Sequence, residues 1–218
     1  MKSAPHFLFF ANHQKSGVGL GSITIMIVFS PEYYIQNTCV IFFDLDGTLV
    51  ETNYANFLAY KSSIETVTKE KCTITYNPNE RFTRTTLIKE FSYLTDKEIL
   101  EIIAMKEFDY HHFLPETKLN DEVFNILKTY YKTNECILVT NCHKKRAESI
   151  LEFYSLTNYF AQTIFYNSNL YANKYIEAIA FLEIRPELIV VYEDNEQEIR
   201  NARELGIIAI NPILHKLN

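Results

Sequence analysis

The sequence predicts an α/β fold: a parallel sheet wrapped by helices, with a helical insertion after its first strand. Three observations carry this reading. Short apolar runs recur at Cys39 to Phe43, Cys136 to Val139 and Leu188 to Tyr192. None shows the polar alternation of a half-exposed strand, which is the pattern of strands covered on both faces. Helical patterns separate the runs, so successive strands need crossovers and pair in parallel. Each run also stops abruptly at polar residues: Asp44 and Asp46, then Thr140 and Asn141, then Glu193 and Asp194. Right-handed crossovers bring such ends to one edge of the sheet, where open α/β sheets bind their ligands.

Residues 1–38 differ from the remainder and are read as an N-terminal extension, either poorly ordered or upstream of a true start at Met26. Their apolar run, Gly17 to Phe29, is short for a helix that spans a bilayer. No small-x-small cleavage site follows it, which disfavours a secretory signal. Gly17-x-Gly19-x-Gly21 has neither the spacing nor the preceding strand of a dinucleotide-binding loop. Only two other glycines occur, Gly47 and Gly206, so each is expected where backbone geometry demands it. Gly47 follows the second acid of the first strand, and Gly206 closes a helix.

From Thr52 to Glu116 the pattern is helical. Tyr54, Phe57, Leu58, Ile64 and Val67 fall at helical intervals, and Asn77-Pro78-Asn79 breaks the run. Thr83 to Leu94 reads as a second helix. Thr95-Asp96-Lys97-Glu98 is a capping box that opens a third, with Ile99, Ile102 and Ile103 on its apolar side. Arg81, Arg84 and Lys89 read as solvated helix charges, and His111-His112 as a surface or core pair rather than a metal site. After Pro115, Asn120 is placed to cap a helix over Asp121 to Lys132. The strand at Cys136 follows, then a helix bearing Ala147, Ile150, Leu151 and Tyr154. The run Lys144-Lys145-Arg146 at its start reads as a solvated face. A strand at Thr163 to Tyr166, a helix from Lys174 through Ala180, the strand ending at Tyr192, a helix ending at Gly206 and a last strand from Ile207 to Ile210 complete the chain.

Composition narrows the function. A formal charge of −6 and a pI near 5.6 argue against a general nucleic-acid binder, which needs a clustered basic surface. Cys39, Cys72, Cys136 and Cys142 have no C-x-x-C spacing. They read as reduced thiols of a cytoplasmic protein, with the reactivity of Cys142 left open. Asp44 and Asp46 stand two apart, so in extended chain both side chains leave on one side and call for a cation or a shared proton.

Asp44-Leu45-Asp46-Gly47-Thr48-Leu49, Thr140, Lys174 and Glu193-Asp194, in that order, resemble the four motifs of the haloacid dehalogenase-like superfamily of hydrolases. The resemblance runs from about Cys39 to Pro212. It implies a Rossmann-like three-layer sandwich core, residues 39–51 and 117–218, and a small α-helical cap, residues 52–116, that closes over the site. It further implies Asp44 as a nucleophile that forms an aspartyl phosphate, and Asp46 as the acid and base beside it. Mg²⁺ would be held by Asp44, the Asp46 backbone carbonyl and Asp194. Thr140, Asn141 and Lys174 would hold the transferring phosphate oxygens. Glu193 and Glu198 are further acids that would reach the metal through water. Two features depart from the family pattern: no proline follows Lys174, and Glu193 stands where glycine is common. The expected function is a magnesium-dependent phosphatase acting on a small phosphorylated metabolite, without nucleic acid or stable membrane association. The second acid, Asp46, favours phosphate esters over haloacids. A phosphomutase, or a non-catalytic phosphate- or metal-binding regulatory module, are the alternatives.

Overall fold

In the computed structural model, residues 35–165 and 172–211 are described; the expectations for residues 1–34, Tyr166 and Pro212 lie outside them. In chain order the elements are β1 (Val40–Phe43), β2 (Val50–Glu51), α1 (Asn53–Thr68), α2 (Arg84–Glu90), α3 (Asp96–Asp109), β3 (Lys118–Leu119), α4 (Asp121–Tyr130), β4 (Cys136–Thr140), α5 (Lys144–Phe153), β5 (Gln162–Phe165), α6 (Lys174–Leu182), β6 (Ile189–Tyr192), α7 (Glu196–Glu204) and β7 (Ile208–Ile210). The main sheet has the order β5-β4-β1-β6-β7 and is parallel throughout. The chain runs from β1 outward through β4 to β5, then crosses back to β6 and outward to β7. Strand order therefore reverses beside β1, and the crevice for a ligand opens at the carboxyl ends of β1, β4 and β6.

The period-2 geometry of a strand explains why these runs are apolar without interruption. Ile41 and Phe43 pack on one face, with Cys136, Leu138, Val123, Leu127, Ile150 and Leu151. Val40 and Phe42 pack on the other, with Ile137, Val139, Val191, Tyr175, Ala178, Ile199 and Ala202. Both faces are thus covered by helices, giving the three-layer arrangement. Each fully buried side chain of this kind contributes about 1.5–3 kcal/mol relative to exposure.

Helices α1 to α3 hold a separate apolar cluster built on Tyr60, Ile64, Leu87, Phe91, Leu94, Ile99 and Ile102. The segment leaves and rejoins the sheet layer through β2 and β3, which pair antiparallel. Two residues per strand leave no readable periodicity, so this ribbon has no signature in the sequence. The capping box at Thr95 and Glu98 forms as expected, and Thr83 with Thr86 forms a second. Asn120 does not cap α4 with its side chain; its amide donates instead to the Thr48 carbonyl, 3.0 Å, tying α4 to the turn after β1. Gly206 takes φ +84°, the left-handed conformation expected at a helix end. Among the described residues no helix is long and apolar enough to cross a membrane.

Candidate active site

The end of β1 is fixed before any side chain enters the site. The Asp44 amide donates to the Tyr192 carbonyl, 3.0 Å, so the last residue of β6 sets the height of the first acid. Beyond it the chain turns tightly, with the Gly47 amide donating to the Val50 carbonyl at 2.8 Å. Gly47 sits at φ +94°, and an added Cβ would run into the Asp194 carboxylate, whose Cγ would lie 2.9 Å away. Thr48 is fully buried and locks the same place: its hydroxyl donates to Asp194 Oδ1, 2.8 Å, and accepts from the Asp194 amide, 3.0 Å. The Gly-Thr pair after the two acids thus joins the end of β1 to the end of β6. We expect Gly47→Ala to cost about 1–3 kcal/mol in backbone strain. By displacing Asp194 it should also weaken divalent-cation binding about 10- to 100-fold. Urea denaturation and calorimetric Mg²⁺ titration would measure the two effects separately.

The two acids do not share a partner. Asp44 is buried, and its Oδ1 accepts from Lys174 Nζ at 2.6 Å. Lys174 opens α6, whose N-cap is the Asn173 side chain, and is itself 1% exposed. Its ammonium also meets Glu193 Oε2 at 2.6 Å. Glu193 is held by the Tyr175 hydroxyl, 2.6 Å, and the Asn195 amide, 3.0 Å. Burial works against the ammonium, but Asp44 and Glu193 more than offset it and hold Lys174 above its ordinary value. Burial pushes Asp44 up, and of its neighbours Lys174 opposes this while Glu193 and Asp194 add to it.

Asp46 faces other groups. Its Oδ1 accepts from the Thr52 hydroxyl, 2.6 Å, and meets Arg81 at 3.3 Å; its Oδ2 meets Arg146, also at 3.3 Å. Burial acts to raise its pKa, and the two guanidiniums outweigh burial, holding the carboxyl well below the usual range. Neither arginine is the solvated helix charge that the sequence suggests. Arg81 lies in the loop before α2, tethered because Asn56 Nδ2 donates to the neighbouring Phe82 carbonyl at 2.7 Å. Arg146 is 9% exposed on the first turn of α5, where its Nε donates to Cys142 Sγ at 2.9 Å. Burial raises the Cys142 thiol, and Asp46 adds to this. The neighbouring Arg146 opposes this rise, so the thiol belongs to the same charged network.

Thr140 ends β4, is 1% exposed and accepts from the Cys142 amide at 3.0 Å, which shapes the loop after the strand. The Asn141 amide donates to Glu198 Oε1, 3.0 Å, linking that loop to α7. Asp44, Asp46, Thr140, Asn141, Lys174, Glu193, Asp194 and Glu198 all line one cavity of 430 Å³, so the eight side chains expected at the site reach the same place. Within it, the carboxylates of Asp44, Glu193 and Asp194 offer ligand atoms within 4.8 Å of one another. Three crowded carboxylates against one ammonium leave an excess of negative charge among hard oxygen donors. This donor set fits a small divalent cation such as Mg²⁺. Glu198 stands outside that group and binds Asn141 and Asn201 instead.

A parallel sheet whose strand order reverses beside β1, with an acidic crevice at that point, defines an α/β protein of the open-sheet class. A sequence model described as haloacid dehalogenase-like hydrolase matches residues 41–211, and the chain belongs to that family. No curated protein matches it. Among solved structures it is similar to a haloacid dehalogenase-like family hydrolase from Streptococcus pneumoniae, at 18% identity and TM-score 0.61, covering 79% of this chain and 83% of that one. It is similar also to a predicted phosphoglycolate phosphatase from Haemophilus somnus, at 18% identity and TM-score 0.65, covering 81% and 85%. A third is CbbY from Rhodobacter sphaeroides in complex with phosphate, at 18% identity and TM-score 0.62, covering 78% and 84%. At this identity the likeness is one of fold.

Proposed function

We propose that the protein is a magnesium-dependent phosphoric monoester hydrolase that works through an aspartyl phosphate on Asp44. The observation that carries this reading is the convergence at one cavity of a buried carboxylate oriented by Lys174 at 2.6 Å and a second, separately held carboxylate two residues on. Asp44 would attack phosphorus, forming an Oδ–P bond as the bond to the leaving oxygen breaks. Asp46 would take the proton that the substrate's phosphate monoanion carries and pass it to that oxygen. Water then attacks the phosphorus of the aspartyl phosphate, Asp46 takes the proton of that water, and inorganic phosphate leaves. With Arg81 and Arg146 both against it, Asp46 rests ionised, the form that accepts a proton. Thr140, Asn141 and the Lys174 ammonium would hold the equatorial oxygens. A divalent cation held by Asp44, Asp194 and the Asp46 backbone carbonyl would offset the repulsion between carboxylate and phosphate.

We assign residues 52–116 as a cap that shields this crevice from water, since they form a separately packed helical layer and deliver Arg81 to the cavity. The leaving group is that of a small phosphorylated metabolite, in keeping with a cavity of 430 Å³. Four free cysteines fit a cytoplasmic setting. Release of inorganic phosphate from a panel of phosphomonoesters tests the reading. Chelation of divalent cations should lower turnover by about a hundredfold or more, and Mg²⁺ should restore it. Turnover indifferent to chelation would contradict the metal assignment, and an isomerised product without free phosphate would point to a mutase.

A further inference from the structure

A second cavity, of 520 Å³, shares Arg81, Asn141, Cys142 and Arg146 with the first. Its charge is the reverse of its neighbour's. Arg81, Arg84, Lys106, Lys144 and Arg146 line it, against the single carboxylate of Glu107. These cations come from two places: Arg81, Arg84 and Lys106 from the helical segment, Lys144 and Arg146 from the start of α5.

A run of surface lysines would be unremarkable, but two of these side chains are buried. Lys106 is 2% and Arg146 9% exposed. Their only carboxylate inside this cavity is Glu107, whose Oε1 serves both, at 2.8 Å from Lys106 Nζ and 3.3 Å from Arg146. Aromatic faces lie close to both: Lys106 Nζ is 5.0 Å from the Tyr60 ring and 5.7 Å from the Tyr110 ring, and the Arg146 guanidinium 5.3 Å from Tyr110. Arg146 also meets Asp46, at 3.3 Å, but Lys106 has, among the described residues, only the carboxylate it shares with Arg146, and a desolvated cation with a shared counter-charge is costly to hold. Burial and the nearby Arg146 bring Lys106 down to about 8, in line with that shortage of negative charge. Arg84 has no ion pair among the described residues, and Lys144 pairs among them only with Glu148, at 3.8 Å and mostly exposed, while lying 5.8 Å from the Phe165 ring.

We infer that this second cavity is a subsite for an anionic group, a carboxylate or a second phosphate, carried by the leaving group of the substrate. The inference rests on the phosphatase reading above, and position supports it. Asp46, the proposed proton donor to the leaving oxygen, is the residue that Arg81 and Arg146 both contact at 3.3 Å, so the group bonded to that oxygen extends toward them. Cationic side chains that line the cavity from both the helical segment and α5 suit a planar carboxylate or a phosphate bound by charge-assisted hydrogen bonds.

The test compares kcat/KM within two matched pairs: a phosphorylated hydroxy acid against the phosphorylated alcohol of equal length, and a sugar bisphosphate against the corresponding sugar monophosphate. In at least one pair the doubly anionic ester should win by about 10- to 100-fold, the range of one or two charge-assisted hydrogen bonds. Which pair responds tells carboxylate from phosphate. The advantage should shrink in Lys106→Met and, because a buried substitution can impair folding, also in the exposed Arg84→Gln. Equal kcat/KM within both pairs, or an advantage that persists undiminished in both variants, would overturn the subsite while leaving the phosphatase reading intact. Turnover of none of the four esters would overturn both.

Discussion

Asp44→Asn is expected to abolish turnover, by on the order of 10⁴-fold or more, while leaving the fold in place. An amide keeps the shape of the carboxylate and can still accept from Lys174, but it cannot attack phosphorus and is a poor ligand for a hard cation. The same substitution should not harm stability. Asp44 is one of three carboxylates whose ligand atoms lie within 4.8 Å, and burial together with Glu193 and Asp194 already pushes its carboxyl upward. Removing that charge relieves repulsion, so the thermal midpoint should stay the same or rise. Gain of stability with loss of activity is the pattern of a site built for function at the expense of local stability. Unfolding of the variant would show instead that Asp44 is needed chiefly for structure.

Lys174→Met is expected to have the largest structural effect. It would leave Asp44 and Glu193 buried with no cation between them, where the ammonium now meets each at 2.6 Å. Breaking a buried pair by removing one partner costs about 3–5 kcal/mol, and activity should fall as the Asp44 carboxylate loses its orientation. The deficit should depend on pH. Burial raises Asp44 in the folded state and Lys174 opposes that rise, so without the lysine the folded-state value lies still further above the unfolded one of about 3.9. A raised folded value stabilises at low pH and loses that contribution as pH rises through it. The variant should therefore lie closer to the parent protein at pH 5 than at pH 8 in urea denaturation. An equal deficit at both values would mean that packing, not charge, is what Lys174 supplies.

The sheet was legible because its strands are covered on both faces. Ile41 and Phe43 serve one side, Val40 and Phe42 the other, which turns alternation into an unbroken apolar run. The sequence also placed Asp44, Asp46, Thr140, Lys174 and Asp194 at strand ends or helix starts, and these come together at one cavity. The motifs imply separate roles for the two acids but could not show that the acids have separate partners. Spacing alone puts Asp44 and Asp46 on one side of a strand, yet Asp44 meets Lys174 whereas Asp46 meets Thr52, Arg81 and Arg146. Those arginines were hidden for different reasons. Arg146 sits in the run Lys144-Lys145-Arg146, which looks like a solvated face, and only the buried side of α5 tells the third residue from the first two. Arg81 follows a Pro-Asn break, and its reach to Asp46 depends on the Asn56 tether to Phe82, a contact 26 residues apart in sequence. Thr48 lay in plain view within the first motif. Its reciprocal hydrogen bonds to Asp194 span 146 residues and have no local signature.

The central claim, covalent transfer of phosphate to Asp44, is tested most directly by acid quench of the enzyme during turnover, followed by peptide mass spectrometry. A phosphoryl group should appear on the peptide that contains Asp44, be labile to mild base as an acyl phosphate is, and be missing in Asp44→Asn. A phosphoryl group on any other residue, or phosphate release by Asp44→Asn at the rate of the parent protein, would contradict the account.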